Sequence, residues 1–163
     1  MKSLKTIILI VSSMWFGMTA AVDFVAVPLV FTTLTSLEQA GQLGIAVFSR
    51  FNTIELLLGT IMLALSMLLF FKEKNGKWSI TWVLLSVLVA SLAITYSFYL
   101  SPMIGFLGRE MHQFPLESEP YLKVYEQHQF FHKLYVKLDS VKLISLLVFM
   151  VSLTKNLCKK ENT

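Results

Sequence analysis

Three stretches of this chain, 6–27, 51–71 and 78–100, are almost free of charge. Each is about the 20 residues that a helix rising 1.5 Å per residue needs to cross a hydrocarbon core roughly 30 Å thick. No water reaches the backbone in that core, so N–H and C=O groups must be satisfied within the segment, and a helix does this. A fourth apolar stretch follows His128, but it carries His132, Lys133, Lys137, Asp139 and Lys142. A charge in a bilayer costs roughly 2.5–3.5 kcal/mol on insertion scales, so these residues are expected to face the protein interior and to have partners there. Over the 163 residues, 55% are hydrophobic and 15% charged, against roughly 45–50% and 25% in soluble domains. The expected fold is all-α: one domain over 1–163, a four-helix transmembrane bundle with helices at about 6–30, 38–71, 78–100 and 126–154 and an external loop over 102–125.

Local signals refine these boundaries. Lys2 and Lys5 precede the first stretch in the manner of a secretory signal, but apolar character continues through 22–31, so the segment is read as a membrane helix. Pro28 lacks an N–H and is expected to kink or end that helix. Ser36-Leu37-Glu38-Gln39 has the form of a capping box that starts the next. Asn75-Gly76 marks a turn in the basic loop 72–77, and Ser101-Pro102 is expected to end the third helix. Trp78, Trp82, Tyr96 and Tyr99 suit interfacial belts. The sequence shows no internal repeat.

Charge fixes the expected orientation. Of 14 Lys and Arg, eight (Lys2, Lys5, Lys72, Lys74, Lys77, Lys155, Lys159, Lys160) lie on the side of the termini. The positive-inside rule then places both termini in the cytoplasm of a multi-pass protein of the inner or plasma membrane, with the lipid bilayer as its first partner. The net charge of +4 and pI near 9.2 come from these flanking lysines, and nucleic-acid binding is not expected. Cys158 is the only cysteine, which excludes an intrachain disulfide and a cysteine metal cluster.

The charged residues inside the spans fall at one depth. Counting from the cytoplasmic boundaries at 1.5 Å per residue, Asp23 lies about 27 Å up, Glu55 about 25 Å, Tyr96 about 28 Å, Asp139 about 24 Å and Lys142 about 20 Å. All four helices thus reach a polar layer in the outer third of the core. Asn52, Glu55 and Gly59 share one helix face, as do His132, Tyr135, Asp139 and Lys142. Lys142 is expected to meet Asp139 along its own helix and Glu55 across the bundle, with Arg50 or Arg109 as a second cation or gating group from above. The candidate binding residues are therefore Asp23, Asn52, Glu55, Tyr96, His132, Tyr135, Asp139 and Lys142.

His128 and His132 stand one turn apart, a spacing that suits Zn, Cu or a haem ligand. Gln129 occupies the place where a zincin has glutamate, so no metal or other cofactor is expected. No motif for a nucleophilic triad or a phosphate loop occurs, and catalysis has no positive support. Scattered methionines such as Met62 and Met67 read as packing. The readings left are a protein that binds or passes a small solute, proton or metal ion, an accessory or self-associating subunit of a membrane complex, and a haem or metal oxidoreductase.

Certain strings resemble a family. Pro28-Leu29-Val30-Phe31, Gln39-Ala40-Gly41, Phe51-Asn52-Thr53-Ile54-Glu55, Tyr99-Leu100-Ser101-Pro102 and Phe131-His132-Lys133-Leu134-Tyr135 resemble the four-helix membrane family that includes transmembrane protein 205. That family is in turn loosely similar to copper-resistance D-type proteins and to the four-helix haem-containing protoporphyrinogen oxidase. The resemblance implies a four-helix fold and no particular reaction. Helix 1 has no histidine, which departs from a haem-ligating arrangement.

Overall fold

The computed structural model describes residues 2–73 and 77–159, and among these the regular structure is helical throughout. The helices are α1 (Lys2–Ala21), α2 (Val27–Thr33), α3 (Leu37–Lys72), α4 (Lys77–Thr95), α5 (Ser101–Met111) and α6 (Glu119–Lys159). One wide turn, Val22–Ala26, joins α1 to α2, and another, Tyr96–Leu100, joins α4 to α5. The described chain therefore runs as four rods: α1–α2, α3, α4–α5 and α6. Three of them, Lys2–Thr33, Glu38–Lys72 and Trp78–Met111, are long and apolar enough to cross a membrane. The fourth, α6, is 41 residues long and has Lys137, Asp139 and Lys142 within its apolar part.

The wide turns explain why the prolines do not end their helices. A proline ring in a regular helix clashes with the carbonyl four residues back. At Pro28 and Pro102 the preceding turn is opened to i→i+5 hydrogen bonding, with Val27 N–H donating to Val22 O and Ser101 N–H donating to Tyr96 O. The first rod thus passes Pro28 and continues to Thr33, and the third passes Pro102 to Met111. The external loop expected over 102–125 is correspondingly reduced to 112–118, since α5 takes its first part and α6 already begins at Glu119. Ser118 starts α6 by accepting from Tyr121 N–H at 3.4 Å. Ser36 starts α3 by accepting from Gln39 N–H at 3.3 Å, as the capping signal implied. The expected Asn75-Gly76 turn lies outside the described residues.

Both halves follow one backbone plan, although the sequence shows no internal repeat. Each has a rod whose wide turn begins six residues before a proline (22 to 28, 96 to 102), followed by a long helix. Between 22–31 and 96–105 only Phe24/Phe98 and Pro28/Pro102 are identical, so the repeat shows in the backbone and hardly in the side chains.

Packing closes the rods into a four-cornered arrangement. Helix α1 packs on α3 and α6, and α4 packs on the same two, while the backbones of α1 and α4 stay apart, as do those of α3 and α6. These two pairs therefore face each other across the diagonals. The main core draws on every corner: Ile8 and Trp15 from α1, Met62 and Leu69 from α3, Trp82, Val89 and Ala93 from α4, and Leu146, Phe149 and Leu153 from α6. Large apolar side chains also point outward, among them Ile10, Leu57, Leu84 and Ile144, the arrangement a lipid-facing surface requires.

Two residues expected at interfaces are inside. Trp82 is fully buried and its indole N–H donates to Ser152 Oγ at 2.9 Å, and Tyr96 is fully buried in a second cluster with Leu92, Leu100 and Tyr135. Trp78 and Tyr99 are exposed. Lys5, read as a flanking charge, is only 3% exposed. Its ammonium lies 2.5 Å from Glu73 Oε1, donates to Asn156 Oδ1 at 2.6 Å and sits over the Trp82 ring at 5.2 Å.

Candidate functional site: a buried charge cluster beside a polar cleft

Asp139 and Lys142 sit one helical turn apart on α6, and Glu55 projects from α3 on the opposite corner. Lys142 Nζ lies 2.5 Å from Glu55 Oε1 and 2.5 Å from Asp139 Oδ1. Glu55 and Lys142 are fully buried and Asp139 is 5% exposed. The remaining corners complete the cluster. From α1, Trp15 Nε1 donates to Glu55 Oε1 at 2.8 Å and Thr19 Oγ1 donates to the same oxygen at 3.1 Å. From the third rod, the Tyr96 ring lies 4.9 Å from the Lys142 ammonium, and from α3 the Phe51 ring lies 5.9 Å from it. A cation over aromatic faces in a dry interior gains attraction that solvent would screen.

Asp23 reaches the cluster because the wide turn carries it. It is half-buried, and its carboxyl lies against that of Asp139, within electrostatic range of Lys142 and Glu55.

One turn above Glu55, Asn52 links the cluster to the surface. Its amide N–H donates to Ser101 Oγ at 2.5 Å, its Oδ1 accepts from Tyr135 OH at 3.2 Å, and its backbone carbonyl accepts from Ser97 Oγ at 3.1 Å. The Tyr135 ring packs on Tyr96, centroids 4.7 Å apart, and edge-on to Phe48 at 5.3 Å. Beyond Asn52, between α3 and α5, opens a cleft of about 280 Å³, whose polar lining is Ser49, Asn52, Thr53, Ser97, Ser101 and Arg109. This is just below the roughly 300–1,000 Å³ of ordinary ligand sites. Glu55 Oε2, Tyr96 OH and His128 Nδ1 are buried without a hydrogen-bond partner among the described residues.

The structure therefore brings together Asp23, Asn52, Glu55, Tyr96, Tyr135, Asp139 and Lys142, and leaves the other candidates outside that group. Arg50 and Arg109 are exposed, and neither makes an ion pair with the cluster. Among the described residues, Glu55 Oε1 takes neutral donors from Trp15 and Thr19 and no second cation. Arg109 is on the cleft. His132 is exposed, and His128 is half-buried with its ring parallel to that of His132 at 6.2 Å. His128 lies above the spanning part of α6, where burial, and next the His132 ring, lower its pKa from the usual value. Among the described residues no group of three or more His, Cys, Asp or Glu is placed to hold a metal ion.

Sequence reasoning missed Trp15, Thr19 and the serines of the cleft. Trp15 and Thr19 stand four residues apart on one face of α1, two turns and one turn below Asp23, a spacing that was available. The serines carried no comparable signal, since a serine in a membrane helix ordinarily bonds its own backbone. Neither a curated protein nor a solved structure matches the chain. A family model does match residues 10–113, a span that contains Asp23, Glu55, Arg109 and the whole cleft. The chain accordingly belongs to the family described as DUF4149, a domain of unknown function.

Proposed function

We propose that this chain is a four-crossing protein of the inner or plasma membrane, both termini cytoplasmic, that binds a small solute in the cleft between α3 and α5. Three rods meet the length and apolarity needed to cross a membrane. The outward apolar residues Val141, Ile144, Val148 and Val151 support a fourth crossing by α6. The narrower likeness to the transmembrane protein 205 family fits this architecture and adds no reaction.

The observation that carries the reading is Asn52, whose side chain lines the cleft and is held by Tyr135 and Ser101 at the edge of the charge cluster. Binding sites are open pockets with a few positioned polar groups, and the cleft has that form while the cluster is closed. The cluster supplies rigidity. Detergent-purified protein tested by thermal shift against small anions, neutral polyols and divalent cations checks the reading. Stabilisation by one class, lost in Asn52→Leu, supports it; no stabilisation by any class contradicts it.

A second reading is favoured by the same closure. Carboxylates paired with a buried lysine, as Glu55 and Asp139 are with Lys142, are contacts by which helices associate in a membrane, and an accessory subunit needs no more. Comigration of the tagged chain with a larger complex in mild detergent, unaffected by cleft variants, would favour that role.

A further inference from the structure

Resting on the cleft as the binding site, we infer that its ligand is an oxyanion, a phosphate or carboxylate group held by Arg109 with the hydroxyls of Ser49 and Ser101. The lining contains one guanidinium and no carboxylate. Arg109 forms no ion pair or hydrogen bond among the described residues, so its five donors are uncommitted. It does not point away from the cleft. A Cβ built on Gly105 would lie 3.6 Å from Arg109 Nη1 and 3.4 Å from Ile45 Cγ2, so the guanidinium lies back over the α5 glycine and faces α3.

The hydroxyls are arranged as donors. Ser101 Oγ accepts from Asn52 Nδ2, which leaves its own hydrogen for a ligand. Ser49 Oγ makes no hydrogen bond among the described residues, whereas Thr53 Oγ1 is spent on the backbone carbonyl of Ser49. Ser97 is spent on Asn52 O. The cleft thus offers donors and positive charge with no free acceptor of comparable strength, and a charge-assisted contact to an oxyanion is the strongest such a set can make. A metal ion or an amine would find no carboxylate in the lining.

Phosphate could come from a free solute or from a lipid headgroup. With the termini cytoplasmic, as proposed above, the cleft lies beyond Glu55 toward the outer face, so both sources reach it. The test uses the full chain in neutral detergent. Inorganic phosphate and acetate form one arm, phosphatidylglycerol in mixed micelles the second with phosphatidylcholine as its zwitterionic counterpart, and glycerol and Zn²⁺ the third, each read by thermal shift and apparent Kd. The expected result is binding in the first or second arm, weakened about tenfold or more by Arg109→Gln, weakened less by Ser49→Val, and falling with added NaCl. Arg109 is exposed, so Arg109→Gln keeps the unliganded melting temperature of the wild type. Free phosphate alone identifies a solute site, and phosphatidylglycerol alone a headgroup site; either supports the inference. Binding of glycerol or Zn²⁺ instead, abolished by Asn52→Leu, would leave the cleft as a site and overturn the oxyanion. Anion binding unchanged in Arg109→Gln would overturn it too. Absence of binding in all arms would overturn both the oxyanion and the cleft.

Discussion

The ammonium of Lys142 lies 2.5 Å from Glu55 Oε1, and both side chains are fully excluded from solvent. Their helices, α6 and α3, occupy opposite corners with their backbones apart, and side chains bridge them both here and where Tyr135 meets Asn52 and Phe48. The pair therefore spans the middle of the bundle. Removing one partner of a buried pair leaves an uncompensated charge, at a cost of about 3–5 kcal/mol. Lys142→Met should lower the unfolding midpoint in detergent more than Glu55→Gln, because Lys142 keeps Asp139 when Glu55 is neutralised. Equal or negligible shifts would contradict this.

Close packing beneath the cluster gives a second expectation. A Cβ on Gly59 would meet Trp15 Cη2 at 3.1 Å and the Ala90 backbone Cα at 3.3 Å, and Trp15 is held in place by its bond to Glu55. Gly59→Ala should destabilise by about 1–3 kcal/mol through overpacking. Gly41, which has nothing within 4 Å, should accept alanine with a gain of up to about 1 kcal/mol from helix propensity. Unfolding titrations of the two variants check the opposite signs.

Lys5 is expected to behave as an interior residue. Lys5→Met removes the partner of Glu73 and Asn156 and should cost about 1–3 kcal/mol. Lys155, exposed at the same end, should tolerate methionine within about 0.5 kcal/mol. Equal effects at the two positions would mean that Lys5 is a solvated flank after all.

That Glu55, Asp139 and Lys142 meet at one level was legible because helix rise is constant, so their heights could be matched by counting. What the count could not supply was rotation. Asp23 and Tyr96 reach the cluster on wide turns, and each added residue in such a turn shifts the faces that follow. Pro102 was misread as a helix end because its clash is relieved by backbone geometry five residues long. Lys5 was misread because a lysine beside an apolar run ordinarily faces water or headgroups, and only the tertiary positions of Glu73 and Asn156 say otherwise. The cleft was invisible because its hydroxyls come from two helices whose register no sequence period encodes.

Cys158 provides a direct check of orientation. It is the sole cysteine and is exposed near the end of α6. A membrane-impermeant maleimide should label it in inside-out vesicles and leave it unlabelled in right-side-out vesicles. The reverse pattern would place the termini outside.

The tie between opposite corners is tested most directly by a double-mutant cycle on Glu55→Gln and Lys142→Met, with unfolding free energies measured by SDS titration in mixed micelles. The account predicts that the double variant is less destabilised than the sum of the singles, by a coupling of about 0.5–3 kcal/mol. Additivity within about 0.5 kcal/mol would contradict it, and would mean that Glu55 and Lys142 are neighbours that do not hold the bundle together.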